Sequence, residues 1–411
     1  MLGYAVNAGK RITADTWVSL KAMLKTIKIE NFRGFQSFEL QNLGRLNLLV
    51  GTNNSGKTSI LEAIRLLCSD DALEPLKDTM ISRGEYFWGD SEKYPELDIR
   101  HLFNSHEIKA GSQFSVSGED DNTYKKFIAS IGIHSENENE RDIENLPLFE
   151  SQSLDSSEDN NGQDNFLDSN LDDFQLLNFD LKWIVGEQQK HWKRPLSSNG
   201  GLSYDYLRRL KAVGTLKNSE TKTQLVTSSA LTVPEMINLF DQVVLTPEED
   251  LVVEALQTIE PRIIRIASVS AERYRRFEAR EGFVVRFSDS NQRIPIGSMG
   301  DGTWRILGLA LATVGASNGV LLVDEIDTGL HFTAMSDMWK LVWETAKRLN
   351  VQVFATTHSS DCWTSLADIA SREDTAEDGI TIQRIEKDNN TGVALDRDEI
   401  VTAANRGIEV R

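Results

Sequence analysis

The segment Gly51 to Thr58 reads Gly-Thr-Asn-Asn-Ser-Gly-Lys-Thr and fills the phosphate-loop pattern G-x-x-x-x-G-K-[ST] without a mismatch. Gly51 and Gly56 let the main chain curl, so that successive N–H groups and a helix N-terminus face phosphate oxygens. Lys57 reaches the terminal phosphates, and Thr58 offers a hydroxyl to Mg²⁺. Asn54, Ser55 and Ser59 complete the expected nucleotide contacts. A chance glycine-rich turn is the alternative, and the flanks argue against it. Arg45 to Val50 is an apolar run fit for a buried strand, and Ile60, Leu61, Ile64 and Leu67 follow at helical spacing.

Three further stretches carry chemistry. Val320 to Asp327 (Val-Leu-Leu-Val-Asp-Glu-Ile-Asp) is a short apolar strand ending in carboxylates. Asp324 would hold Mg²⁺ through its water shell opposite Thr58, while Glu325 would orient an attacking water and accept its proton. Charges that merely end a strand would not explain an abrupt Asp-Glu pair after Leu-Leu-Val. Val351 to Ala355 is a second apolar strand, ending in Thr356-Thr357-His358-Ser359, where His358 is a polar strand cap or a group facing phosphate. Gly297 to Gly302 (Gly-Ser-Met-Gly-Asp-Gly) leads into the helix Trp304 to Ala312 and can receive an anion at the helix N-terminus.

Upstream, Ile27 and Ile29 alternate with Lys28 and Glu30, the pattern of a half-buried antiparallel strand, and Asn31 to Phe35 forms a turn with an exposed Arg33. A strand ending in Asn-Phe-Arg-Gly-Phe shortly before this phosphate loop resembles the SMC/RecF/OLD group of ABC-type ATPases. With the later stretches in chain order, the resemblance runs from Met23 to about Asp361. It implies an α/β fold, a P-loop NTPase of ABC/SMC type with a mixed sheet between helices, an antiparallel β subdomain and a short helical insertion. It also implies ATP and Mg²⁺, with hydrolysis to ADP and phosphate. Arg33 would lie near the nucleotide, the alternative being a solvated turn charge. Ser298, Gly300 and Asp301 match the signature motif, from which Gly297 and Met299 depart; Ser298 lies 26 residues before Asp324. His358 matches the switch histidine at the γ-phosphate. Asp327 to His331 falls on the D-loop, with His331 where many members have Asp. Such ATPases pair head to tail, so a homodimer or higher homo-oligomer is implied, with Ser298 completing the partner's site.

Composition bounds the rest. A chain of 411 residues, 40% hydrophobic, exceeds one compact core, so a large domain with an insertion, or two domains, is expected. No run approaches 18 apolar residues, so no membrane span is expected. Cys68 and Cys362 are the only cysteines and form no spaced framework, consistent with a reducing cytoplasm. Of the net charge of −19, much sits in Ser135 to Gln175, where 13 Asp/Glu face one Arg. That composition reads as a disordered loop, or alternatively as an acidic surface that mimics DNA or docks a basic partner.

Lys182 to Lys217 reverses the sign, with eight Lys/Arg, Trp183, Trp192, Tyr204 and Tyr206. It suits phosphate contact with base stacking, hence a possible DNA contact, or a helical face whose aromatics pack inward. Thr232 to Pro261 reads as an antiparallel helix pair, each helix opened by a Thr-x-x-Glu capping box (Thr232/Glu235, Thr246/Glu249). Ile263 to Val269 reads as a strand leading to a basic turn with Arg273, Arg275, Arg276 and Arg280. The expected organisation is an extension 1–22, a first core part 23–118, an insertion 119–260 and a second core part 261–411. OLD-like proteins commonly carry a nuclease domain after this core, and the 53 residues beyond His358 are too few for one. The expected partner is therefore a separately encoded effector such as a nuclease, in DNA repair or anti-phage defence. A transporter ATPase subunit and a nucleotide-gated scaffold with little turnover are the rival readings.

Overall fold

The computed structural model describes residues 23–69, 73–88, 95–120, 123–133, 177–197, 199–204, 222–269, 282–372, 379–387 and 389–410. The extension 1–22, the acidic segment, Tyr206, Arg208, Arg209 and the arginines between 273 and 280 lie outside them.

Two six-stranded sheets organise the described residues. One has the order Thr223–Val226, Val320–Val323, Gln352–Thr356, Leu46–Val50, Ile380–Arg384 and Val393–Leu395, parallel except for the last strand. Its three middle strands are wholly buried, which is why they read as unbroken apolar runs. The other sheet is antiparallel, in the order Phe35–Leu40, Thr26–Phe32, Gln113–Glu119, Tyr124–Ile133, Leu177–Val185 and Gln188–Pro195.

The helix Lys57–Cys68 lies between the sheets. Ile60, Leu61, Ile64 and Leu67 share one core with Leu49, Leu322 and Phe354 of the parallel sheet and Ile27, Ile29, Phe114 and Phe127 of the antiparallel one. Each fully buried aliphatic side chain contributes on the order of 2 kcal/mol. The opposite face of the parallel sheet, Leu48, Val50, Leu321, Val323, Val353 and Ala355, packs in a second core with the helices Asp301–Gly315, Met335–Arg348 and Ser360–Arg372. Alternate residues of one strand thus serve opposite cores, as a period of two demands.

The fold departs from the sequence reading in four places. The stretch 119–260 is not a single insertion: residues 124–195 supply three strands of the antiparallel sheet, and Thr223–Val226 is an edge strand of the parallel one. The alternation Phe127, Ala129, Ile131 and then Phe179, Leu181, Trp183 is a strand signal, interrupted by the acidic run. Trp183 is buried, with its indole N–H donating to the Leu67 carbonyl at 3.2 Å, so it offers no face for base stacking, and Trp192 is half-buried against the same core. The helices Val233–Val243 and Pro247–Gln257 do form. Thr232 and Glu235 make the expected capping box, but Glu249 accepts from the Leu245 N–H rather than that of Thr246.

Arg33 is the fourth departure. It is 6% exposed, and its guanidinium meets two carboxylates, with Nε 2.6 Å from Glu62 and Nη1 2.6 Å from Glu85. Glu62, on the helix after the phosphate loop, also pairs with Arg83 at 2.6 Å. Burial pushes the Glu62 carboxyl above its ordinary range, and Arg33 and Arg83 draw it back. Asn31 and Arg33 both have left-handed backbone, φ 53° and 49°. The turn is tied down by Arg33 N–H to the Leu102 carbonyl and by Asn104 Nδ2 to the Arg33 carbonyl. The sequence shows the charge but not the two acids that bury it. Replacing Arg33 with Met should lower the unfolding free energy by about 3–5 kcal/mol, because Glu62 and Glu85 lose their shared partner. Urea unfolding of the two proteins would measure it, and a loss below about 1 kcal/mol, the worth of a surface pair, would show the network to be unimportant.

Candidate functional site

The site forms where three parallel strands end side by side. Register pairs Val323 with Ala355 and Thr356 with Leu49, so the phosphate loop, the Asp-Glu pair and the Thr-Thr-His segment leave the sheet at one edge. The carboxyl edge of a parallel sheet is where α/β folds place ligands.

In the phosphate loop, Gly51, Asn54 and Gly56 have φ of 149°, 61° and 94°. A Cβ on Gly51 would collide with the Ile385 carbonyl, and one on Gly56 with the Phe35 ring, so the curl admits no side chain at either position. Phe35 belongs to the Asn-Phe-Arg-Gly-Phe turn, which therefore touches the loop through its ring while Arg33 faces Glu62 and Glu85. Lys57 is buried and donates to the Gly51 and Thr52 carbonyls at 2.8 and 2.9 Å. Burial lowers its ammonium to about 8, against the opposing pull of Asp324 and Glu325. Ser55 is buried 3.5 Å from Lys57 Nζ, and Ser59 sits in the first helical turn.

Across from the loop, Thr58 Oγ1 donates to Asp324, 3.1 and 3.3 Å from its two oxygens. Thr356 Oγ1 donates to Asp324 Oδ1 at 2.6 Å and accepts the Glu325 N–H at 2.8 Å. Glu325 has a left-handed backbone, φ 48°, and its Oε2 accepts from Thr328 at 3.2 Å. Thr357 Oγ1 donates to Asp327 at 2.6 Å, and His358 follows it, half-buried. Arg305 is buried with its guanidinium directed at carbonyls, those of Thr227 (2.8 Å), Asp324 (3.2 Å) and Glu325 (2.9 Å). Burial lowers its affinity for a proton, and Asp327, Asp324 and Glu325 oppose this. Burial also pushes the Cys362 thiol up, which leaves it unreactive.

At the second helix N-terminus, Ser298 lies in a 3₁₀ turn, Ile296–Met299, with its hydroxyl donating to the Pro295 carbonyl at 2.7 Å. Gly300 (φ 91°) precedes the helix and has open space where a Cβ would stand. The helices Val233–Val243, Pro247–Gln257 and Arg397–Arg406 are capped by the side chains of Thr232, Thr246 and Asp396. Those starting at Lys57, Asp301 and Met335 have no side-chain cap, and at the first two the cap residue is glycine. At these two glycine starts no cap side chain competes with an anion for the leading N–H groups. These residues fit a nucleotide: a cradle with no room for side chains, a buried ammonium and an uncapped helix. Thr58 and Asp324 form an all-oxygen pair that can hold Mg²⁺, and two carboxylates beside an anion-binding loop call for such a cation.

Sequence reading missed Thr356, Phe35 and Arg305 as parts of the site. Paired threonines closing a buried strand and a single charge inside the apolar run Trp304–Val314 were their signals.

The AAA ATPase domain family matches residues 23–362. The "ATP/GTP phosphatase" of Helicobacter pylori is 21% identical over 375 residues, 82% of this chain and 86% of that protein. The "DNA double-strand break repair Rad50 ATPase" of Methanopyrus kandleri is 40% identical over 80 residues, 18% of this chain and 9% of that protein. The SMC head bound to the C-winged helix domain of ScpA superposes with a TM-score of 0.44 at 12% identity, over 91% of this chain and 98% of that one. The chain spans less than half the length of some relatives it matches, 42% in one case. Among the described residues no helix is long and apolar enough to cross a membrane.

The low proton affinity of Lys57 has a readable sign. Phosphate binds its charged form, so above pH 8 each nucleotide bound must bring a proton to Lys57. With EDTA present, affinity for a non-hydrolysable ATP analogue should hold from pH 6.5 to 7.5, then weaken by up to ~10-fold per pH unit above 8. Calorimetry in buffers of different ionisation enthalpy should detect proton uptake at pH 9. A dissociation constant flat to pH 9.5 would mean that the loop keeps Lys57 charged when empty.

Proposed function

The chain belongs to the AAA ATPase domain family and is an ATPase of the SMC/RecF/Rad50 type, and from that premise we propose how its residues divide the work. Gly51, Asn54, Ser55, Gly56, Lys57 and Ser59 bind the phosphates of ATP, and Thr58 with Asp324 holds Mg²⁺, which when bound neutralises charge on the transferring phosphoryl group. Glu325 is the general base: it orients a water on the γ-phosphorus and takes its proton as the new P–O bond forms and the bond to ADP breaks. His358 contacts the γ-phosphate as the switch. The observation that carries this reading is the Thr356 hydroxyl, which bonds the Asp324 carboxylate and the Glu325 N–H at once, with Asp324 also accepting from Thr58.

Ser298 and Gly300 complete the site of a second copy, so the active unit is a two-fold dimer closed by ATP. The uncapped helix N-terminus after Gly300 supports this, since an anion from the partner's nucleotide would satisfy it. Arg33 acts through packing, with Phe35 seated on Gly56, rather than as a nucleotide contact. The dimer drives a DNA-associated repair or anti-phage complex through a separately encoded effector such as a nuclease. The name of the Rad50 relative supports the DNA association. The outer face of the antiparallel sheet mixes Lys28, Lys126, Lys182 and Lys193 with Glu30, Glu39 and Asp180, so DNA contact there would be through scattered lysines. A cytoplasmic setting accords with this reading.

Glu325→Gln should bind ATP as the parent does yet lose about 10²- to 10⁴-fold in turnover, with the ATP-bound dimer accumulating on size exclusion. Hydrolysis at the parental rate would remove Glu325 from the base role. Mixing Lys57→Ala with Ser298→Arg protein should restore part of the activity that each lacks, because a mixed dimer holds one intact composite site. Mixed dimers that form but stay inactive would place the whole site within one chain.

A further inference from the structure

Arg305 sits in the second turn of the helix Asp301–Gly315, in an otherwise apolar run, and is 4% exposed. Burying a guanidinium costs several kcal/mol, which a carboxylate partner normally offsets. Here the hydrogen bonds run to the carbonyls of Thr227, Asp324 and Glu325, Nε is buried with no hydrogen-bond partner among the described residues, and the carboxylates of Asp327, Asp324 and Glu325 attract the guanidinium but only partly offset its burial. An apolar side chain of similar volume would fill the space at lower cost. Something other than packing therefore keeps the charge there.

That something is the backbone of Glu325. A non-glycine residue at φ 48° lies in a region that costs roughly 1–3 kcal/mol and persists only where its surroundings impose it. Both peptide groups flanking Glu325 are held. Its N–H donates to Thr356 Oγ1 at 2.8 Å, and its carbonyl accepts from Arg305 Nη2 at 2.9 Å and from the Thr328 N–H, within the same turn, at 3.0 Å. With both pinned, the Cα–Cβ bond has one direction. Without Arg305 the carbonyl keeps only the bond from Thr328, a residue of the same turn that can move with it, and Glu325 can relax to an ordinary conformation that points the carboxylate elsewhere. Arg305 also belongs to the helix that starts at Gly300, and Gly302 of its first turn lies against the Gly329 carbonyl and Leu330, just past the carboxylate cluster. The seat of that helix and the aim of Glu325 are mechanically one.

We propose that Arg305 is a positioning residue for the hydrolysis step, holding Glu325 in its left-handed conformation through its carbonyl and tying that conformation to the helix behind the signature-like loop. The proposal rests on Glu325 being the base. Arg305 also donates to the Asp324 carbonyl at 3.2 Å, but the Asp324 carboxylate is held separately by Thr356 Oγ1, so loss of Arg305 bears on Glu325 and on catalysis more than on nucleotide binding.

The test is steady-state ATP hydrolysis, equilibrium ATP binding and thermal melting on Arg305→Met, with Arg305→Gln in its place if the Met protein does not fold. Expected is a fall in kcat of ~10²-fold, the order of effect of misplacing a reacting group by about 1 Å, with the ATP dissociation constant unchanged. Arg305→Lys, whose ammonium can still donate to one carbonyl, should recover part of the lost kcat. Adding Arg305→Met to Glu325→Gln should cost no further turnover. The proposal is overturned by a parental kcat, by a loss that appears in ATP binding instead, by a lysine that restores nothing, or by additive losses in the double variant. If Glu325→Gln alone turns over normally, the base assignment fails first; if it is inactive while Arg305→Met is fully active, only the role of Arg305 fails.

Discussion

One hydroxyl holds the site together. Thr356 Oγ1 donates to Asp324 and accepts the N–H of Glu325, so a residue of the middle strand fixes the carboxylate of one residue and the backbone of the next on its neighbour. This works because the two strands are parallel and in register, Val323 beside Ala355, which sets Thr356 level with the first residue past the shorter strand. A one-residue slip would turn Thr356 to the opposite face of the sheet and sever both bonds. The continuous burial of the middle strands therefore does more than stabilise. It fixes the register on which the chemistry depends.

The phosphate loop is held from the other side by the antiparallel sheet. Its helix is wedged between two layers, and Glu62 on that helix is tied to Arg33 of the first turn and Arg83 of the next helix–strand connection. The same turn seats Phe35 against Gly56, where only a residue without a side chain fits. Ion pairs of this kind are poor sources of net stability but exacting about geometry, because a displaced partner leaves a buried charge alone. The turn and the loop thus move together or not at all.

Much of the nucleotide core was legible because its signals are local. A phosphate loop, a strand-end Asp-Glu pair and a Thr-Thr-His strand end each span under ten residues, and the structure gathers them at one sheet edge. What was illegible depends on partners far along the chain. Arg33 reads as exposed until Glu85, 52 residues later, closes on it. Trp183 and the lysines around it read as a basic aromatic surface until the register with Tyr124–Ile133 turns Trp183 toward Leu67. The strands at 124–133 and 177–185 were hidden because a long acidic run separates two halves of one hairpin, so composition outweighed alternation.

The distribution of helix caps bears on how such a site stays responsive. At the helices Val233–Val243, Pro247–Gln257 and Arg397–Arg406 a threonine or aspartate satisfies the first N–H groups and contributes about 1 kcal/mol, whereas Met335–Arg348 starts from Ala334 without such a cap. At Lys57 and Asp301 that contribution is forgone, and glycine stands at the cap position instead. A side-chain oxygen there would satisfy the same N–H groups that a phosphate needs, so capping and anion binding compete for one set of donors. The left-handed backbone of Glu325 follows the same logic, since a relaxed residue at that position would be cheaper to fold but would have no single aim. Stability withheld at three points around the sheet edge is available to the ligand, and binding can then close what folding left open.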